Sequence, residues 1–269
     1  MKLQEIIETL SLKAAAREAG LEFRMVGGRV ALTPMDPDDP RYSTAFILPS
    51  MRMVEACRAD DFDFFHPFIE AGRLTAEQMH RAAARYHLGK TRSGKPLFWM
   101  ISETLEPMDA HIASDAWLSS LLKARQPLLQ HWCPTHCLFG QHLLSTLRSA
   151  PCDASRLKNS TPVAIVESEA SAAVLSELFP EVLWMAYATV EHLDVALFAP
   201  LQGRAVAIYP STDPSASTYL FFLDLAEAVR QRYDIHISVA SILEDLATPP
   251  QKDRCIDLLD FLRESLTTD

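Results

Sequence analysis

The sequence predicts an α/β protein, with a mostly parallel sheet flanked by helices from about residue 160 to the end and a mixed α+β part before it. Three observations carry this. Short apolar runs recur at Val163–Val166, Leu183–Ala186 and Ala205–Tyr209, each of strand length and too short for a helix. The runs are almost uninterrupted by polar residues, as in strands covered on both faces. Helical spacing follows the first run, through Ala170, Ala173, Val174, Leu175, Leu178 and Phe179, and follows the third through Leu220, Leu223, Leu225, Ala226 and Val229. Strand–helix alternation of this kind is what a parallel sheet requires.

In chain order, residues 2–19 read as a helix with an apolar stripe of Leu3, Ile6, Ile7 and Leu10, closed by Gly20. Phe23 to Leu32, interrupted by Gly27-Gly28, reads as a hairpin. The proline-rich stretch 34–40 is a loop, and Phe46 to Leu48 a short strand. Residues 60–68 form a loop that packs Phe62, Phe64 and Phe65 on a core. Leu74 to Arg85 is a helix with Thr75 as its N-cap. A hairpin follows, Tyr86–Leu88 and Leu97–Ile101 around the turn Ser93-Gly94. Residues 115–130 are helical, and the polar stretch 151–162 is a linker. After the third apolar run come a helix from Tyr219 to Tyr233, a strand Ile235–Val239, a short helix Ile242–Leu246 capped by Ser241, and a last helix carrying Asp257, Asp260 and Glu264. The chain thus divides into an N-terminal α+β part (1–84), a hairpin and helical part (85–159) and an α/β domain (160–269).

The net charge of −10 argues against a surface that coats nucleic acid generally. The charge is uneven, however. Residues 86–160 hold 8 basic and 5 acidic side chains, whereas residues 161–269 hold 6 basic and 17 acidic. Any phosphate contact therefore falls on the middle segment, at the hairpin tip of Lys90, Arg92 and Lys95 and on the helix carrying Lys123 and Arg125. Five cysteines, an odd number, do not suggest a disulfide framework. No apolar run is long enough for a bilayer and the start is unlike a secretory signal, so a cytoplasmic location with no membrane partner is expected. His131, Cys133, His136, Cys137 and His142 are potential metal donors, but the Cys-x₃-Cys spacing is loose and no second paired cluster follows. Cys137-Leu-Phe-Gly140 reads instead as the start of a buried helix, and no zinc is expected. Walker loops, dinucleotide fingerprints and nucleophile elbows are absent.

Parallel sheets place their sites at the carboxyl ends of strands. Glu167 and Asp213 stand at two such ends, and converging carboxylates there suit Mg²⁺. Each also has a structural role open to it. Glu167 can favour the start of a helix, and Asp213 can cap a turn.

The run Val163-Ala-Ile-Val-Glu-Ser-Glu-Ala-Ser-Ala-Ala173 resembles the first motif of the Toprim domain of primases, topoisomerases and related nucleases. Gly203-Arg-Ala-Val-Ala-Ile-Tyr-Pro-Ser-Thr-Asp213 resembles its second motif, a strand ending in an Asp-x-Asp pair. Tyr86-His-Leu-Gly89, Cys137-Leu-Phe-Gly140, Phe179-Pro180 before Trp184-Met-Ala186, Ile242-Leu-Glu244 and Asp257-Leu-Leu-Asp-Phe261 extend the likeness. Together they resemble DUF6371, a Toprim-like family of Bacteroidetes mobile-element proteins, over roughly residues 85–265. The resemblance implies that Glu167 is an acid/base and that Asp213, Glu167 and the Ser211 position hold Mg²⁺. Ser211 replaces the first aspartate of the pair, and Tyr187-Ala-Thr-Val190 replaces the usual Gly-Gly turn. It implies a primase-related protein acting on nucleic acid in mobile-element replication or maintenance. Its Mg²⁺-dependent phosphoryl-transfer site, of nucleotidyltransferase or nuclease type, would be weakened. The alternative is a non-catalytic Toprim-like module that binds nucleic acid or a replication or mobilisation protein. The N-terminal part is distantly similar to the zinc-binding module of primases, but Thr33, Met35 and Asp36 stand where ligands would be, so a metal-free remnant is expected.

Overall fold

The computed structural model describes residues 21–26, 29–34, 49–113, 116–125, 136–145 and 161–265. The helix expected over 2–19, the loop 34–40 beyond Pro34, the strand 46–48, and His131 and Cys133 lie outside the described residues, as does the linker up to residue 160.

The α/β domain is built as the apolar runs require. Strands β7 (Val163–Val166), β8 (Leu183–Ala186), β9 (Ala205–Ile208) and β10 (His236–Val239) form one parallel sheet in the order β10-β9-β7-β8. β7 is therefore central, with Ile165 between Met185 on one side and Ile208 on the other. It is buried along its whole length, which explains a run with no polar residue. Helix α5 (Glu169–Leu178) leads from β7 to β8, and α6 (Ser217–Arg232) leads from β9 to β10. Short helices α7 (Ile242–Leu246), α8 (Pro249–Asp253) and α9 (Leu258–Ser265) end the domain. The two crossings leave β7 and β9 towards opposite edges of the sheet. The gap between the carboxyl ends of β7 and β9 is thus the topological switch point, where open sheets bind ligands.

The preceding part holds a two-stranded antiparallel ribbon, β1 (Leu21–Val26) and β2 (Arg29–Pro34), where the sequence indicates a hairpin. Helices α1 (Met51–Ala56), α2 (His66–Glu70) and α3 (Ala76–Arg85) follow. Thr75 caps α3 as expected, with Gln78 returning the bond in a capping box. A second sheet runs in the antiparallel order β3 (Gly89–Lys90), β4 (Pro96–Ile101), β5 (Pro107–Ile112), β6 (Ala116–Trp117), and leads into α4 (Leu118–Arg125). β4 alternates between two cores. Leu97, Trp99 and Ile101 pack with Val54, Ala110 and Ile112, while Phe98 and Met100 join the principal core. That principal core draws on residues from Phe62 to Leu259, so both sheets share it.

Three contacts tie the parts together. The Tyr86 hydroxyl, fully buried, donates to the Trp184 carbonyl at 2.8 Å. Phe139 and Ala186 exchange backbone hydrogen bonds of 2.8 and 3.1 Å, which adds a bridge to the edge of β8. Glu177, whose side chain is 2% exposed, is held by Arg81 at 2.5 Å and Arg85 at 3.0 Å, locking α3 to α5.

The structure corrects several local readings. Cys137–Gly140 does not start a helix: Phe139 is in the bridge, and Gly140 turns the chain at φ +83°. A Cβ on Gly140 would stand 3.0 Å from both the Trp184 carbonyl oxygen and the Tyr86 ring, so the close approach needs glycine. Residues 60–68 are a 3₁₀ turn and α2 rather than a loop, although Phe62 and Phe65 are fully buried as expected. The segment at 115–130 begins with strand β6 before the helix, and β5 has no counterpart among the expected elements.

Candidate functional site

Glu167 follows β7 directly, and Pro210 to Asp213 follow β9. Both therefore lie at the switch point. The Ser211 hydroxyl donates to Glu167 Oε2, which joins the two strand ends. Ser211 is 7% exposed and Tyr187, from the end of β8, is 6% exposed. Burial, and next the Glu167 charge, push the Tyr187 phenol well above its ordinary pKa. The hydroxyl at position 211 thus sits where the resemblance places a carboxylate, and it satisfies the glutamate instead of repelling it.

Asp213 is otherwise engaged. Its Oδ1 accepts from the amides of Ser215 (2.8 Å) and Ser217 (3.1 Å) and from the Ser215 hydroxyl (2.5 Å), and its Oδ2 accepts from the Thr218 amide (2.8 Å). Burial would raise this carboxyl, but the Ser215 hydroxyl and the three amides together hold it well below the aspartate range. These amides open α6, and Ala216 between them adopts φ 55°. Asp213 is therefore the anchor that holds a strained helix entry.

A second acid approaches Glu167 from the C-terminal helices. Asp257 is 9% exposed, accepts from the Ser171 hydroxyl and from the Asp260 amide (2.9 Å), and its carboxyl is raised. Burial is the main cause, with the Asp260 and Glu167 charges adding to it against those hydrogen bonds. Beside it, Thr212 donates through its amide to Ile256 (3.1 Å) and through its hydroxyl to Glu244 (2.6 Å), which also pairs with Lys252 at 2.7 Å. The sequence reading assigned no site role to Tyr187, Ser171, Glu244 or Asp257. All four lie in motifs of the resemblance or at its departures, but these could not indicate that Asp257 bonds Ser171 and comes under the charge of Glu167.

The fit of this arrangement to Mg²⁺ is poor. Mg²⁺ needs carboxylate oxygens with free lone pairs in near-octahedral geometry. Here four donors occupy Asp213, and Ser211 turns a donor towards Glu167. Among the described residues no three His, Cys, Asp or Glu side chains converge as metal ligands.

A second polar cluster lies across the α5 N-terminus. His111 and Glu169, both buried, pair at 2.7 Å, and His111 stacks on Trp117. His136 and His192 stack face to face, with centroids 3.9 Å apart and planes at 13°, so their in-plane nitrogens do not point at a common ion. His142 Nε2 lies 2.9 Å from the Arg85 carbonyl, and burial pushes its pKa down to about 4, so it is a neutral core histidine that donates to that carbonyl. Burial raises the Cys137 thiol.

Of the basic residues, Arg92 and Lys95 are exposed around the β3–β4 turn, and Lys90 lies over the Phe62 ring at 5.3 Å. Lys123 and Arg125 fall on α4. No helix among the described residues is long and apolar enough to cross a membrane.

Fold and site define a mixed α/β protein with an acidic residue at the switch point of a parallel sheet flanked by helices. Residues 103–212 match the family model of a domain of unknown function, DUF6371. The match spans β5 through β9 and includes Glu167 and Ser211. No curated protein and no solved structure matches the chain.

Proposed function

We propose that this chain is a Toprim-like, primase-related module that binds nucleic acid in mobile-element replication or maintenance, and that its switch point is structural rather than a site of turnover. The observation that carries this reading is the commitment of Asp213 to four donors at the head of α6. The strand order β10-β9-β7-β8 with Glu167 at the end of the central strand supports the Toprim kinship. The exposed turn of Arg92 and Lys95 supports contact with a phosphate backbone.

A second reading, Mg²⁺-dependent phosphoryl transfer, is favoured by the approach of Asp257 to Glu167, which leaves two acids at one strand end. One pair of assays separates the two. Anisotropy with labelled single- and double-stranded oligonucleotides should show salt-sensitive binding. Lys90→Ala/Arg92→Ala/Lys95→Ala should flatten the salt slope by about one unit for each phosphate that is no longer neutralised. Cleavage and primer-synthesis assays with Mg²⁺ or Mn²⁺ should show no activity above a Glu167→Gln control. Unchanged binding and slope in the triple variant would remove the basic turn from the reading. Metal-dependent turnover abolished by Glu167→Gln would establish the enzymatic one.

A further inference from the structure

The first two turns of α6 are apolar on the wrong side. Its inward stripe, Phe222, Leu225, Ala226 and Val229, is buried in the principal core. The outward side of an amphipathic helix is ordinarily polar. Here Leu220 is 56% exposed, Phe221 43% and Leu223 37%. Single exposed leucines are common, but Leu220 and Leu223, three positions apart, adjoin on the outward side, and Phe221 flanks them.

The charge around these residues selects a partner. Asp224, exposed, follows Leu220 by four positions and Phe221 by three, which places it on the same side of the helix. Glu227 is also exposed, though Arg230 holds it at 3.0 Å. The whole segment 161–269 carries 17 acidic against 6 basic side chains. A nucleic-acid strand would be repelled, whereas a cationic one-sided helix would find apolar contact and opposite charge side by side.

We propose that the N-terminal half of α6 is a docking face for a lysine- or arginine-rich amphipathic helix of another protein. The proposal is independent of the nucleic-acid reading, because the basic β3–β4 turn plays no part in it.

The test uses the full chain and a fluorescein-labelled synthetic peptide with leucines at i, i+3, i+4 and i+7 and lysines elsewhere, beside a leucine/glutamate counterpart. The leucine/lysine peptide is expected to bind. Leu220→Ser/Phe221→Ser/Leu223→Ser is expected to weaken it by about tenfold or more while the unfolding midpoint is kept. Asp224→Lys should weaken it further at low salt than at high salt. Leu220→Ser alone, at the most exposed of the three positions, serves if the triple variant unfolds. Equal binding to the serine variants, or equally tight binding of the glutamate counterpart, would overturn the proposal. So would sedimentation showing a wild-type dimer that the triple variant loses, because a second copy would then cover this face.

Discussion

Ser211→Asp restores the carboxylate that the resemblance expects and places it against Glu167. Two terms set the magnitude. The hydroxyl's hydrogen bond to a charged group is removed, which costs about 1.5–3 kcal/mol. Two carboxylates then face each other, and at roughly 4 Å with an effective dielectric near 20 their repulsion is about 4 kcal/mol. The pair escapes part of this by keeping a proton, so a net loss of about 3–5 kcal/mol at neutral pH is expected. Even 3 kcal/mol lowers Tm by roughly 6–12 °C in a chain of this size class. Ser211→Ala carries only the first term and should fall by less. Acidification should return part of the Ser211→Asp loss, since a protonated partner removes the repulsion. Differential scanning calorimetry in chelator, then with Mn²⁺ added, is the assay. A cation held between the two carboxylates at about 100 times its Kd would restore about 2.7 kcal/mol to Ser211→Asp. The wild type should gain little. A Ser211→Asp protein as stable as wild type in chelator would refute the Ser211–Glu167 contact. If Mn²⁺ failed to rescue a destabilised variant, the position would not complete a metal site even when the charge is restored.

Three further predictions rest on single contacts. Glu177→Ala leaves Arg81 and Arg85 without their buried acceptor. Because the Arg81 side chain is 56% exposed and can return to water, the cost should be about 2–3 kcal/mol, at or below the low end for a broken buried pair, with Arg81→Ala near 1 kcal/mol or less. Equal urea midpoints for the two variants would remove the clamp. Asp213 has a depressed folded pKa, so its contribution is fully present above the ordinary aspartate value near 3.8 and is lost as pH falls below it towards the folded value. Asp213→Ala should therefore cost about 1–2 kcal/mol at pH 7 and progressively less in acid, and a cost independent of pH would contradict the anchor role. Asp257 is the opposite case: its folded pKa is raised, so its contribution is full below the unfolded value and shrinks as pH rises through the folded one. Asp257→Asn should gain on the wild type as pH rises from 4 to 7, and parallel Tm–pH curves would show that Asp257 is not held in a desolvated site.

Much of the scaffold could be read from local pattern. Val163–Val166, Leu183–Ala186 and Ala205–Ile208 are too short for helices and too apolar for loops, and all three lie as strands in one parallel sheet, the first two buried along their length. Thr75 and Gln78 announce a helix start because a capping box is closed by residues three apart. Strand β5 was hidden for the converse reason. Asp109 and His111 interrupt its apolar run, and both are buried only because partners elsewhere in the chain accept them. Ser119 donates to Asp109, and Glu169 pairs with His111 across 58 positions. Cys137–Gly140 looked helical because no local signal marks a bridge to Ala186.

The candidate site divides along the same line. Glu167 and Asp213 could be placed at strand ends from spacing alone, and a capping role for Asp213 lay within reach, since its donors are two to five residues away. Which carboxylate stays available, and what it faces, was decided by packing. Ser211 meets Glu167 across 44 positions, and Ser171 meets Asp257 across 86. Period and propensity report on neighbours along the chain, whereas a carboxylate's charge state is set by the donors and acids within a few ångströms in space. Only the assembled sheet, with α9 brought against α5, puts those groups there.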